Sequence, residues 1–293
     1  MRYHISHTTT YTYTQPVLLQ LHTLRLLPRS DSWQKLHSFS LAVEPNPFKV
    51  SQITDLDGNT IAQLWFQEAT EHLKLQVTTE VETYQTNPFD YLPESWATKL
   101  PIDYPSSLLS QLQPYQQSYG LASDCAIAQL AQELYQDVQG ETLPFLTALN
   151  QHLYETCEQT IRDTGDPWPA GVTLRQKRGS CRDVAVLFME VCRAVGLATR
   201  FVSGYQEGDP DQDNRHLHAW AEVYLPGGGW RGYDPTHGLA VADRHVALVA
   251  SALPSYATPV SGNFTPVKPS LNGEGHLIES QMQVHLSIQV VTV

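Results

Sequence analysis

The chain has 293 residues, 41% of them hydrophobic and 16% charged, so it can bury a sizeable core and is not disordered by composition. Its formal net charge of −12 argues against non-specific nucleic-acid binding and against an anionic membrane surface, because like charges repel. Met1–Thr12 has no apolar core of signal-peptide length, and no stretch approaches the ~18 apolar residues of a spanning helix. The only cysteines are Cys125, Cys157, Cys181 and Cys192. They do not make a disulfide scaffold, and a reducing, cytoplasmic location is the expectation.

Residues 1–90 read as β. Apolar and polar residues alternate in Tyr3-His4-Ile5-Ser6, in Phe39–Val43 and in Leu73–Val77, which puts one face of each strand inward. Asp57-Gly58-Asn59 separates two further runs, Val50–Ile53 and Thr60–Phe66, as a hairpin turn would. Several short strands in series predict an antiparallel β-sandwich-like domain.

Residues 91–116 carry Pro93, Pro101, Pro105 and Pro114, and Pro88 stands just before them. Proline breaks both helix and strand, so this stretch is expected to be a linker that wraps rather than packs.

The remaining residues, 117–293, are expected to form a second domain. Ser123 is a candidate N-cap for a helix over Asp124–Val138. A second helix is expected from Thr142 to Ile161, with Phe145, Leu149, Leu153 and Cys157 on one stripe. Cys157 reads there as a small core residue and Cys125 as structural. After a Gly-, Asp- and Pro-rich loop (164–171) comes a helix beginning at Cys181. Strands follow at Phe201–Tyr205, His218–Leu225 and Trp230–Asp234, the last two joined by the turn Pro226-Gly227-Gly228-Gly229. Gln283–Val293 alternates as a final strand. The whole is an α+β fold with antiparallel strands.

The segment Lys177–Gly196 holds two of the cysteines. Ser180 is a good N-cap and Asp183 approximates the far half of a capping box. Cys181 is then the first helical residue, where unpaired N–H groups favour a thiolate and can hold an oxyanion. Cys192 lies about 16 Å further along the same helix, too far to bridge to Cys181, and reads as core packing. A nucleophilic cysteine needs a base and the base needs an orienting group. The 226–229 hairpin can set His218 beside Asp234 on adjacent strands, which completes a workable Cys-His-Asp arrangement. His216 and His218 face the same side of a strand, so spacing alone leaves either as the base.

Three segments carry a resemblance: Arg178-Gly-Ser-Cys-Arg-Asp183, Arg193–Tyr205, and the run from His218 to Gly238. Together with Arg2–Tyr13, they resemble the transglutaminase-like superfamily in its bacterial branch with an N-terminal β domain, over nearly the whole chain. The resemblance implies a papain-like core with Cys181 as nucleophile, His218 as base and Asp234 as orienter. It selects His218 over His216. By analogy it makes Gln176 a candidate oxyanion or substrate-binding residue. The chain departs from that branch after His245, where Ser251–Tyr256 stands in place of a Gly-Arg-Asp-Tyr segment.

Trp220 is close enough to His218 in sequence to line a cleft, with packing as its alternative. Trp230 reads as packing. Tyr205 and His237 are cleft candidates with core or loop roles as alternatives. A zinc site from His216, His218, His237 and a thiolate is the competing chemistry, but the chain has neither zinc-knuckle spacing nor an H-E-x-x-H motif. Without a D-x-D-x-D-G calcium loop, no metal or other cofactor is expected. The expected function is acyl transfer from a protein or peptide amide through a thioester, with water as acceptor in a protease or amidase. The alternatives are an amine acceptor, as in a crosslinking transglutaminase, and a catalytically silent protein-binding module.

Overall fold

The computed structural model describes residues 1–119, 124–162, 164–208, 216–267 and 278–291. In chain order its elements are β1 (Arg2–Leu24), β2 (Gln34–Glu44), β3 (Lys49–Thr54), β4 (Thr60–Trp65) and β5 (Ala69–Thr83). Then follow α1 (Ser106–Gln116), α2 (Cys125–Asp137), α3 (Thr142–Thr156), β6 (Glu158–Gln159), α4 (Ala170–Gln176), β7 (Arg178–Gly179) and α5 (Cys181–Ala194). The chain continues through β8 (Thr199–Gln206), β9 (His218–Leu225), β10 (Gly229–Asp234), β11 (Leu239–Ala240), β12 (His245–Ser251), β13 (Val260–Pro266) and β14 (Ser280–Val290). This is the α+β architecture expected from the alternation of patterns.

The N-terminal β domain is one continuous antiparallel sheet built on the long strand β1, with path β2-β5-β1-β4-β3. Residues 3–12 of β1 lie between β5 and β14. The register then shifts between Thr12 and Val17, across Gln15-Pro16, and the strand continues beside β13 and β4. A bulge is where a strand tolerates proline, because an unpaired residue needs no ladder hydrogen bond. The inward positions Tyr13, Val17, Leu19, Leu24, Leu64, Leu73 and Leu75 make a core of their own.

The domain limits differ from the sequence expectation at the C-terminal end. Residues 117–293 do not form one unit, because β13 and β14 cross back to pair with β1. Alternation identifies a strand but not its partner, and β1 offered a long free flank.

The proline-rich stretch is also corrected. It contains α1, and Leu100, Ile102, Tyr104 and Leu112 are buried in the main core. Pro105 precedes the helix, where no N–H is needed, and Pro114 falls in the last turn. Apolar positions at 108, 112 and 115 then pay for the helix by packing. The stretch also wraps, since the Glu94 N–H donates to Pro226 O at the β9–β10 turn.

In the second unit, a five-stranded antiparallel sheet, β11-β10-β9-β8-β12, packs on α5. Nearly every residue of α5 is buried, including Cys192, as expected of a helix enclosed on all sides. The helix predicted over 142–161 ends at Thr156. Cys157 is its C-cap, and the chain leaves as β6. The N-cap of α2 is Asp124, which accepts from the Ala126 N–H; Ser123 lies outside the described residues.

The outer edge of β12 is closed by two side-chain amides from the N-terminal domain. Gln34 exchanges two hydrogen bonds with Ala247, Nε2 to O and N to Oε1, each 2.8 Å. Asn59 does the same with Ala250, at 2.8 and 3.0 Å. Each amide thus satisfies the two backbone groups that a neighbouring strand would otherwise take.

Candidate active site

Cys181 opens α5 as expected. Asp183 Oδ2 accepts from the Ser180 N–H (2.8 Å) and from Ser180 Oγ (2.6 Å). Its Oδ1 accepts from the Trp168 N–H at 2.7 Å and from Arg162 Nη2 at 2.5 Å. Four donors to a fully buried carboxylate make Asp183 a structural anchor of the helix mouth. Gly179 is required there, since a Cβ would sit 2.8 Å from Cβ of Asp183.

The half-buried thiol of Cys181 lies within electrostatic reach of His218 and of the Ala219 backbone N–H, both of which favour its ionised form. Burial pushes this thiol up, but His218 and the Ala219 N–H outweigh it, so its pKa lies below the ordinary thiol value. His218 stands at the start of β9 and donates through Nε2 to Asp234 Oδ2 at 2.8 Å. Nδ1 is therefore the nitrogen left for the thiol. Burial alone would lower the His218 pKa. The Asp234 charge and hydrogen bond, then Cys181, override it and push it up to about 10. Asp234 ends β10 and is fully buried. Desolvation raises its pKa, but the attraction and hydrogen bond of His218, with two further histidines, hold it well below the usual carboxylate range.

Those two histidines were not selected as site residues from the sequence. His237 Nδ1 lies 2.9 Å from Asp234 Oδ2, and His245 Nε2 lies 3.1 Å from the same oxygen. The Thr236 N–H donates to Oδ1 at 3.1 Å. His237 is a cleft and zinc candidate from the sequence, and the resemblance places His245 on the next strand without giving it a role. Among the described residues, the donor set close enough for a metal ion is His218, Asp234 and His245. That set does not include the thiolate, His216 or His237.

The two substrate-binding candidates differ in exposure. Trp220 has no solvent exposure; it packs with Val202, Val241 and Ala250 on the sheet face away from α5. Strand alternation set it beside His218, and Gly204 leaves room for its ring. It lines no cleft. Gln176 ends α4 and is exposed, with Oε1 accepting from Arg178 Nε at 3.4 Å. The left-handed Lys177 that follows turns the chain at this point. Tyr205 is also core, its hydroxyl bonded to His7 Nδ1 at 3.0 Å. His216 is exposed and precedes β9. Trp230 packs under Arg200 and against Tyr115.

A thiol at a helix mouth, an imidazole on the sheet against it and a carboxylate on the next strand define a fold of the papain-like, cysteine-protease type. Residues 128–235 match the transglutaminase-like superfamily, and residues 3–82 match the bacterial transglutaminase-like N-terminal region. The chain belongs to the transglutaminase-like superfamily, in the form that carries this N-terminal region. An uncharacterised protein of Mycobacterium tuberculosis is 26% identical over 269 residues, covering 84% of this chain and 82% of that protein. A crystal structure from Cytophaga hutchinsonii, provisionally named a cysteine protease, superposes with a TM-score of 0.73 at 19% identity. It covers 100% of this chain and 92% of that one, and so shares the fold. A protein-glutamine gamma-glutamyltransferase of Pseudomonas aeruginosa is 35% identical over 71 residues, 22% of this chain and 11% of that protein.

Proposed function

We propose that the protein is a cysteine-nucleophile acyl-transfer enzyme acting on a peptide or amide bond, with water as its usual acceptor. One observation carries this reading: the Cys181 thiol at the mouth of α5 is acted on by His218, whose Nε2 is held by Asp234 at 2.8 Å. Thiolate and imidazolium coexist between a lowered thiol pKa and an imidazole pKa near 10.

In the first step the Cys181 sulfur attacks the carbonyl carbon, and the oxyanion turns toward the first-turn N–H groups of α5. The C–N bond then breaks, and the His218 Nδ1 proton goes to the departing amine, leaving a thioester. Water attacks the thioester while His218 takes its proton. The C–S bond breaks, the acid is released and the thiolate is restored. An amine in place of water gives amide exchange by the same path. The 71-residue likeness to a gamma-glutamyltransferase makes that acceptor worth including in the assay. A protein or peptide substrate and a cytoplasmic setting belong to the same proposal.

The test is the pH dependence of Cys181 alkylation by iodoacetamide, resolved from the other cysteines by mass spectrometry, in the native protein and in His218→Ala. A Cys181 that reacts well below the ordinary thiol range of about 8.5, and loses that reactivity in His218→Ala, supports the reading. A Cys181 with an ordinary profile in both proteins sinks it. Release of amine from a peptide library, against incorporation of a fluorescent amine, then separates hydrolysis from transfer.

A further inference from the structure

We propose that His245 is a positioning residue: its Nε2–H fixes the Asp234 carboxylate so that this carboxylate in turn orients His218. The inference rests on the cysteine–histidine reading above and deepens it.

Asp234 Oδ2 takes three imidazole contacts, each from a different element: β9 (His218, 2.8 Å), the turn after β10 (His237, 2.9 Å) and the first residue of β12 (His245, 3.1 Å). Three directions around one oxygen, with the Thr236 N–H on the other, leave the carboxylate no second rotamer that keeps its partners. The three imidazoles are not equivalent. His237 is partly open to solvent, whereas the His245 side chain is 3% exposed. The groups acting electrostatically on His245 are Asp234, His218 and His237. Burial outweighs the Asp234 attraction and keeps His245 below the ordinary imidazole pKa, hence neutral while His218 is charged.

A neutral imidazole has one N–H. Were it on Nδ1, the Nε2 lone pair would face the carboxylate oxygen at 3.1 Å, two acceptors in contact. The proton is therefore on Nε2. Nδ1 is left as a buried acceptor without a partner among the described residues. A buried acceptor left in that state is costly, and an aliphatic side chain would avoid the cost, so what the imidazole contributes here is the Nε2–H. Because His245 stays neutral, it adds a hydrogen bond without a second positive charge that would lower the His218 pKa.

His245 also links the site to the N-terminal domain. Its strand is held at Ala247 and Ala250 by the Gln34 and Asn59 amides. The position of this donor thus depends on residues far from Cys181 in sequence.

The experiment compares the pH–rate profile of Cys181 alkylation in the full-length wild type, His245→Leu and His245→Gln, each checked for folding by thermal melting. Leucine removes the donor. Glutamine can return an N–H near the Nε2 position and cannot titrate. The expected result at about pH 6 is roughly tenfold slower alkylation in His245→Leu, with its acidic limb moved to higher pH, and recovery in His245→Gln to within about twofold. A wild-type profile in His245→Leu overturns the proposal and leaves the cysteine reading standing. Equal impairment of the two variants also overturns it, since packing and not the donor would then matter. An ordinary thiol profile in the wild type removes the cysteine reading and this proposal together. Should His245→Leu not fold, nitrogen-15 imidazole spectra of the wild type decide. A neutral Nε2–H tautomer at about pH 7 is expected, and a charged imidazole or an Nδ1–H tautomer at that pH overturns the proposal.

Discussion

His218 reaches Asp234 through Nε2 at 2.8 Å, which assigns Nδ1 to Cys181 and makes the pKa values of all three side chains depend on one carboxylate. In Asp234→Asn the His218 pKa should fall back from about 10, since the carboxylate charge and hydrogen bond are the forces that raise it. The imidazole would then be neutral more often at neutral pH, and the thiol would lose the charge that favours its ionised form. The expected outcome is a Cys181 alkylation profile shifted toward ordinary thiols and a peptide turnover lowered by ~100-fold or more.

The amide clasps on β12 give a stability prediction. Asn59→Ala strands both the N–H and the C=O of Ala250, whereas Gln34→Ala strands only the Ala247 N–H, since the Ala247 carbonyl keeps the Arg29 N–H at 3.0 Å. Each should cost about 1–3 kcal/mol in urea unfolding, with Asn59→Ala the larger. Because the clasps share one strand, the double variant is expected to depart from additivity. A cost near zero for both would mean that water replaces the amides freely.

Gly204 tests the fit between β8, β9 and β12. A Cβ there would lie 2.2 Å from the Val246 carbonyl and 2.5 Å from the Trp220 ring. The carbonyl is backbone and the ring is fully enclosed, so neither can retreat cheaply. Gly204→Ala should therefore destabilise by about 3 kcal/mol, the upper part of the overpacking range. Thermal melting reads this directly. An unchanged melting temperature would show that β12 slides without cost.

The acid limb of stability should follow His7. This histidine is buried between the two units, bonded to Tyr205 and to Thr9 at 3.0 Å each, and desolvation lowers its pKa to about 4. Between about 6.5 and about 4 the unfolded chain binds a proton that the native chain refuses, so stability falls as pH falls through this window. His245, also lowered, acts in the same direction. His218 and Asp234 do not add to the loss there. The raised pKa of His218 contributes stability that is complete below its unfolded value and lost on the alkaline side. The depressed pKa of Asp234 is lost only in stronger acid. His7→Gln should remove roughly 2 kcal/mol of the stability lost between pH 7 and about pH 5, measured by urea denaturation at the two pH values.

The features legible in the sequence were those that neighbours along the chain decide. Ser180 and Asp183 announce a helix start, so Cys181 had to stand at its mouth, and α5 begins there. The glycine turn at 226–229 pairs His218–Leu225 with Trp230–Asp234, so the approach of His218 to Asp234 followed from one hairpin. What the tertiary structure alone decided is which strand lies beside which, and therefore which side chains share an interior. Trp220 looked like a cleft residue by proximity, but its face of the sheet is covered. Alternation marks a strand over 283–293; the strand observed is Ser280–Val290, and its partner is β1, nearly the whole chain away. His245 meets Asp234 only because β12 pairs with β8, and Gln34 and Asn59 find β12 only across the domain boundary. Local preferences act over a few residues, whereas sheet partners are chosen by burying apolar faces and satisfying backbone groups across the whole fold.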